Sequence, residues 1–402
     1  MIHIDKPEAH SVSRDVFELV GWYALDREPM SLQIRMGGRE ISCRRIPRPD
    51  VERSHPRKWC AGFGTLLTLS NHVDAIHDGV IELALVVDAQ PVDTLALAVP
   101  DCTRDEAVAA RSARRHKRDW LSSRLCCPSC KRGPLDIQSA AIACPACGLR
   151  CEQRHGAMDL ITSQMAASHN IVATENVSAH PYDPIALSVI EGARAGGGMV
   201  LDCGAGLRDA INPYVIASEI VDYPTTDVLA VNHSLPFVDE SFDGILSLNV
   251  LEHVTDPFQC AAELARVLKP GGTLYCVVPM LQPEHGYPDH YYNMTRSGLS
   301  RLFHGKLEVK EQFVPLSGHP IFSLHWMASW YLEHLPPKAR KRLQSMTFAE
   351  LLQRTPVQWL SDAVTSQLST DGQWRLASTT ALLLTKSAMP ASQDRGVGRL
   401  TQ

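Results

Sequence analysis

Short apolar runs broken by Gly, Pro, Asp and Asn dominate the first hundred residues, at 16–24, 32–36, 63–69, 80–87 and 95–99. Runs of this length and spacing predict strands, and together an all-β domain, a sandwich, over residues 1–103. The pattern then changes: 104–122 holds alanines and a basic stretch of Arg111, Arg114, Arg115, Lys117 and Arg118, without Gly or Pro. That predicts a linker helix. From 197 to 316 short apolar runs at 199–202, 214–219, 227–231, 244–248 and 273–278 alternate with helical stretches. Alternation of this kind means a parallel sheet with helices on its faces. The clearest helix opens at Asp256, a capping residue, with Pro257 at its first position; Gly271-Gly272 closes it and Phe258, Ala261, Ala262, Leu264, Ala265 and Leu268 form its apolar face. The glycine stretch before 219 is too short for a full helix, which predicts a reduced one. Beyond 317 the pattern predicts helices over 326–334 and 339–352, a final strand over 374–385 and a disordered tail over 389–402.

Composition narrows the class without deciding it. The 402 residues carry a net charge of −5, so no whole-chain field draws the protein to nucleic acid or an anionic membrane. No apolar run approaches the ~20 residues of a membrane span, and the start MIHIDKPEAH has no secretory pattern. The expectation is a cytoplasmic protein. The basic stretch at 111–118 reads either as a phosphate-binding patch or as a solvated linker helix, and with Trp120 as its one aromatic the second reading is preferred. Nucleic acid is therefore not the expected partner.

The twelve cysteines are unevenly placed. Cys127-Pro-Ser-Cys130 is followed after thirteen residues by Cys144-Pro-Ala-Cys147. Two such pairs form two knuckles that close a tetrahedral shell, a zinc ribbon over 123–162. Four thiolates leave no position for water, so this zinc is structural. Cys126 and Cys151 are spare candidates. The segment resembles the short zinc ribbon that precedes many bacterial methyltransferase domains, including its exit at Gly156-Ala157-Met158-Asp159-Leu160-Ile161. Such a ribbon packs or interacts, so it and the sandwich are candidate surfaces for a partner protein. In the sandwich, Arg48-Pro49-Asp50-Val51 followed by Gly62-Phe63 resembles a module found beside enzymes of bacterial surface-glycan synthesis.

An apolar run ending in Asp202-Cys203-Gly204-Ala205-Gly206 is a glycine loop that permits a tight turn and close backbone approach to a ligand. By itself it equally describes a dinucleotide loop. An acidic residue follows at the next strand end, Glu219 first and Asp222 second, and then come Leu235-Pro236-Phe237, Ser241-Phe242-Asp243, Asn249-Val250-Leu251-Glu252-His253-Val254 and Arg266-Val267-Leu268-Lys269-Pro270-Gly271-Gly272. In this order the motifs resemble class I S-adenosylmethionine-dependent methyltransferases, in the branch of the ubiquinone/menaquinone-biosynthesis enzymes. The resemblance implies a Rossmann-like domain over 175–388 with a helical C-terminal insertion. It implies that Asp202, Gly204 and Gly206 cradle the methionine part of S-adenosyl-L-methionine, that Glu219 holds the ribose, that Asn232 lies by the adenine, and that Asn249 and His253 line the pocket beside the sulfonium. Two positions depart from the family: Arg208 stands where it has a third glycine, and Asn232 where it has aspartate.

The loop after the fifth strand, 279–295, is rich in His, Tyr and Asp, and loops leaving strand ends border ligands in parallel sheets. His285 and His290 are candidate bases and Tyr287 and Tyr291 candidate stacking groups, with simple packing the alternative for each. The resulting expectation is methyl transfer to a small-molecule or glycan acceptor. The rivals are an RNA base methyltransferase and a non-catalytic scaffold of the same fold.

Overall fold

A computed structural model describes residues 1–138, 141–154, 156–171, 177–286 and 289–378. They form two compact units, one of residues 1–280 and 286–313, the other of 281–285 and the chain from 314 onward.

The first unit opens with eight strands, β1 (Ile2–Lys6), β2 (Val16–Leu25), β3 (Leu32–Met36), β4 (Arg39–Ile41), β5 (Arg44–Ile46), β6 (Trp59–Thr68), β7 (Val80–Val87) and β8 (Gln90–Ala98). They pair as two antiparallel four-stranded sheets, β1-β2-β6-β5 and β4-β3-β7-β8. One core joins the sheets, with Ile4, Leu19 and Phe63 from the first against Ile34, Leu83 and Leu85 from the second. Three short strands, β1, β4 and β5, carry too few apolar residues to show in the sequence pattern. A one-and-a-half-turn helix, α1 (Pro49–Ser54), holds the Arg48–Asp50 motif, in which the Arg48 guanidinium bonds Asp50 and reaches Asp5 at 2.5 Å.

Helix α2 (Asp101–Ser122) follows. Its buried positions Thr103, Ala107, Ala110, Ala113, Lys117 and Leu121 recur every three or four residues, a single stripe along the helix. Its basic stretch is not solvated throughout. Lys117 is 2 % exposed, and Arg114 donates to the carbonyl of Pro224 in the α/β domain. Small alanines let the helix lie close to its neighbours, and Lys117 and Arg114 beside them are drawn into the protein, while Arg115 stays exposed.

A nine-stranded sheet occupies the rest of this unit. Its strands are β9 (Asp136–Ile137), β10 (Ala141–Ala143), β11 (Arg150–Arg154), β12 (Ala157–Asp159), β13 (Val200–Cys203), β14 (Val215–Glu219), β15 (Val228–Leu229), β16 (Phe242–Leu248) and β17 (Leu268–Val277), in the order β17-β16-β13-β14-β15-β12-β11-β10-β9. The six from β17 to β12 run parallel, and β11, β10 and β9 are antiparallel. The cysteine-rich segment is thus continuous with the α/β sheet, and Leu125, Leu135 and Ile142 share one core with Leu201, Ile216 and Phe237. Strand β13 is buried at all four residues, as covering on both faces requires.

Helices α3 (Ser163–Ser168), α4 (Pro184–Ala195), α5 (Pro257–Val267) and α6 (Arg296–Phe303) complete the unit. Helix α5 begins as the sequence predicts, with the Asp256 carboxylate accepting from the N–H of Gln259. It ends at Val267, four residues before Gly271, because Leu268 through Gly272 already belong to β17. Phe258, expected on the buried face, is 51 % exposed. Between β13 and β14 there is no helix at all.

The second unit holds α7 (Pro320–Glu333), α8 (Pro337–Ser345), α9 (Phe348–Leu352), α10 (Pro356–Trp359), α11 (Ala363–Ser366) and α12 (Thr370–Arg375). The helix expected over 339–352 is broken into α8 and α9, where Thr347 and Glu350 form a capping box that starts a new helix. The final strand is not seen: Trp374 and Arg375 end α12, and the remainder of 374–385 from 379 on lies outside the described residues, as does the tail 389–402. No described helix is long and apolar enough to cross a membrane.

Candidate functional site

The carboxyl ends of β13, β14 and β16 meet at the glycine loop. Asp202, at 0 % exposure, is the penultimate residue of β13. Its Oδ2 accepts three donors: the Tyr182 hydroxyl at 2.6 Å, and Nε and Nη2 of Arg208 at 2.9 and 2.7 Å. Its Oδ1 is buried with no hydrogen-bond partner. Burial pushes its carboxyl above the usual carboxylate range, against the pull of Arg208 and of the two hydrogen-bonding side chains.

Gly204 and Gly206 have φ of +79° and +63°. Both positions also lack room, since a Cβ on Gly204 would meet Val250 at 2.5 Å and one on Gly206 the Ser178 carbonyl at 2.5 Å. The close approach that glycine permits is made here by the chain's own segment 178–182. Ser178 accepts from the N–H of Leu207 at 2.7 Å, and His180 from Nη1 of Arg208 at 2.5 Å.

Glu219 ends β14. Its Oε1 accepts from the N–H of Gly206 at 3.0 Å, and its Oε2 from those of Ile220 and Val221 at 2.6 and 3.2 Å. The loop and the second strand end are thereby tied together. Asn232 follows β15, and its Oδ1 lies 3.1 Å from the Cys203 thiol that donates to it. Its neighbour His233 stacks on His169 at 3.9 Å and accepts at Nε2 from the N–H of Asp256. Burial pulls that imidazole down to about 4, so it is a neutral support for the start of α5.

Asn249 follows β16 directly with φ +56°, an αL conformation that asparagine tolerates better than most residues. His253 lies one turn on. Its Nδ1 is 2.8 Å from the carbonyl of Asp289. A carbonyl only accepts, so the Nδ1–H of His253 donates to it. Glu252 beside it is 0 % exposed, and neither carboxylate oxygen has a hydrogen-bond partner. The backbone of Glu252 accepts from the N–H of Tyr291, and the Tyr291 hydroxyl donates to Asp289 at 2.8 Å. His290 lies 5.5 Å from His253 between ring centres. The fold therefore brings His253, His290 and Tyr291 to one rim. His285 belongs to the second unit, where its ring packs 4.9 Å from that of Trp326, and Tyr287 lies outside the described residues.

The residues fit a bound S-adenosylmethionine in one respect that an empty scaffold does not need: a buried carboxylate oxygen, Asp202 Oδ1, and the buried Ser218 hydroxyl lack partners at the strand ends where α/β sheets bind ligands. The four cysteines fit zinc equally well. Cys127 and Cys147 sulfurs are 3.6 Å apart, as are those of Cys130 and Cys144. A tetrahedron with Zn–S of about 2.3 Å needs sulfurs about 3.8 Å apart. Cys126 and Cys151 stand outside this cluster.

Sequence reasoning missed Tyr182 and Glu252. Tyr182 lies twenty residues upstream of the Asp202 it bonds, a separation that no local pattern reports. Arg208 was visible only as a departure from the glycine pattern.

A family profile described as a methyltransferase domain matches residues 211–276, beginning just after Arg208. An uncharacterized methyltransferase of Mycobacterium tuberculosis is 37% identical over 98 residues, which is 24% of this chain and 35% of that one. One from Mycolicibacterium paratuberculosis is 36% identical over 96 residues, 24% of this chain and 34% of that one. This chain thus spans about a third of the length of these relatives. Among solved structures, the YcgJ protein from Bacillus subtilis is similar at 21% identity, covering 39% of this chain and 87% of that one with a TM-score of 0.26. A SAM-dependent methyltransferase from Thermotoga maritima, described as a possible histamine N-methyltransferase, is similar at 21% identity, 29% and 68% coverage and a TM-score of 0.22. The parallel sheet from β12 to β17 gives the α/β part of this chain a Rossmann-like fold, and within it residues 211–276 are similar to a methyltransferase domain.

Proposed function

We propose that the protein is an S-adenosyl-L-methionine-dependent methyltransferase whose acceptor is polar, with a glycan or glycan precursor as its class. The observation that carries the cofactor reading is Asp202: fully buried at the end of β13, with one carboxylate oxygen left without a partner inside a sheet whose neighbouring segment matches a methyltransferase domain.

Bound, the cofactor supplies a methyl group on a sulfonium, open to one-step displacement. Asp202 and the loop at Gly204 and Gly206 hold its amino-acid end. Glu219 retains an oxygen lone pair for a ribose hydroxyl beside the three N–H groups it accepts. Asn232 and Asn249 border the adenosine and the reacting end. Aligning an acceptor and excluding water is most of the catalytic task. A hydroxyl acceptor also loses a proton. His253, whose ring is held by the Asp289 carbonyl, is the candidate to take it. His290 and Tyr291 form the wall of the acceptor rim. The zinc at Cys127, Cys130, Cys144 and Cys147 is structural.

The polar rim and the N-terminal Arg48–Asp50 motif support a carbohydrate acceptor. RNA loses part of its support, because Arg114 and Lys117 of the basic stretch are committed inside the protein. The scaffold reading keeps one observation in its favour, the Arg208 guanidinium on Asp202.

Calorimetric titration with S-adenosylhomocysteine separates these readings. Wild type is expected to bind in the micromolar range and Asp202→Asn at least tenfold more weakly, with both proteins folded by circular dichroism and loaded with zinc. Absence of binding to the folded wild type would reject the enzyme. Methyl transfer from labelled cofactor to nucleotide sugars and glycans, with RNA in parallel, then tests the acceptor class.

A further inference from the structure

In an α/β fold the helix after a glycine loop usually offers its N-terminal N–H groups and positive dipole end to an anionic ligand group. This chain has no helix between Cys203 and Val215. The loop instead turns directly into Arg208, which is 9 % exposed. Its guanidinium is fixed from three sides: Nε and Nη2 bond Asp202 Oδ2, Nη1 bonds the His180 carbonyl, and the plane stacks 4.0 Å from the Tyr182 ring centre. Of its five N–H groups these contacts use three.

The donors on Asp202 are correspondingly one-sided. Tyr182 and both Arg208 nitrogens approach Oδ2, while Oδ1 is buried without a partner. A carboxylate whose function was only to neutralise the arginine would gain by spreading three donors over both oxygens. The arrangement is a fixed dipolar pair, with acceptor capacity on Oδ1 and two guanidinium N–H groups not used by these bonds.

Resting on the cofactor reading above, we infer that Arg208 is a cofactor-recognition residue, which takes the carboxylate of the cofactor's amino-acid end while Asp202 Oδ1 takes the adjacent ammonium. The arginine thus supplies from a side chain the positive charge that the missing helix would have supplied from its backbone. A planar guanidinium suits a carboxylate better than a lysine ammonium does, because it donates two N–H bonds in one plane. A third glycine at this position would remove this charged donor.

Wild type is titrated by calorimetry with three compounds: S-adenosylhomocysteine, its decarboxylated analogue that keeps the amine, and 5′-methylthioadenosine, which lacks the whole amino-acid end. The decarboxylated analogue is expected to bind about 10- to 100-fold more weakly than the parent, the range set by a charge-assisted hydrogen bond. Arg208→Gln should lower S-adenosylhomocysteine affinity by a similar factor, leave 5′-methylthioadenosine within about threefold, and abolish the preference for the parent over its decarboxylated analogue. Asp202→Asn/Arg208→Gln, which removes both buried charges, covers the case in which the single variant does not fold. Equal affinity of wild type for parent and decarboxylated analogue overturns the assignment. So does an equal loss for all three compounds in Arg208→Gln, which marks a purely structural arginine. Binding of none of them to folded wild type instead rejects the cofactor reading itself.

Discussion

Glu252 is the residue whose surroundings least resemble what its type implies. It lies on the motif after β16, fully buried, with both oxygens unpartnered and Oε1 3.8 Å from Nε2 of His253. Removing a carboxylate from water without giving it donors penalises its charged form. Its carboxyl is accordingly pushed up to about 8 from an ordinary 4.5. The folded chain therefore keeps a proton that the unfolded chain releases above about pH 4.5. Stability from this group is complete below that pH and is lost as pH rises toward 8. Glu252→Gln imitates the protonated acid. Relative to wild type, its melting temperature is expected to gain steadily from pH 5 to pH 8, and a difference independent of pH would contradict the assignment. Asp202 was legible as a ligand candidate from the strand–glycine pattern. Glu252 was legible only as part of a motif, because local sequence does not report whether a side chain finds partners.

At the level of elements, the four-cysteine segment shows how far spacing carries. Two CxxC pairs make two knuckles whose backbone turns, Lys131 N–H to the Cys127 carbonyl and Gly148 N–H to the Cys144 carbonyl, place four sulfurs together. Spacing could not show that β12 of this segment adds to the edge of the α/β sheet by parallel pairing of Met158 with Val228 and Asp159 with Leu229. Zinc bound by four cysteines carries roughly 10–16 kcal/mol of apparent binding energy in isolated finger peptides, so loss of the proposed zinc is expected to propagate into the sheet. Cys144→Ser should take zinc from about one ion per chain to near zero by elemental analysis. Amide exchange should then accelerate in β15 as well as in β9 to β12; acceleration confined to β9–β12 would show that the two parts are energetically separate. Helix α5 makes the complementary point. Its start was readable from Asp256 and Pro257, but its end was not, because the Lys269-Pro270-Gly271-Gly272 turn sits inside a strand that pairs with β16.

In the molecule as a whole, α2 has the largest role that its sequence conceals. It ties the N-terminal sheets to the α/β domain within one compact unit. Arg111 bonds Asp74 in the sandwich, and Lys117 reaches Asp227 at 2.6 Å and the Val215 carbonyl at 3.0 Å on the other side. Asp227 also accepts from the N–H of Ala217. Burial pulls the Lys117 ammonium down, and Asp227 opposes that pull. Cutting one partner out of such a pair strands a buried charge, which costs about 3–5 kcal/mol. Lys117→Met is expected to lower the unfolding free energy by that amount in urea titration, and Lys117→Met/Asp227→Asn to recover part of it. A loss below about 1 kcal/mol in the single variant would place the helix on the surface after all.

The division between sequence and tertiary structure follows from the range of the forces involved. Apolar periodicity, capping residues, cysteine spacing and the glycine loop act within a few residues. They pointed to the two kinds of sheet, the clustering of Cys127, Cys130, Cys144 and Cys147, the start of α5 and the strand ends that carry Asp202 and Glu219. The same local signals stated Arg208 as an anomaly and Lys117 as part of a basic stretch, without meaning for either. What each of them does depends on a partner 6 to 110 residues away, Asp202 for one and Asp227 for the other. Whether a charge points to water or is buried against its opposite is decided only when the sheets and α2 have packed, because burial is a property of the assembled core and not of any window along the chain.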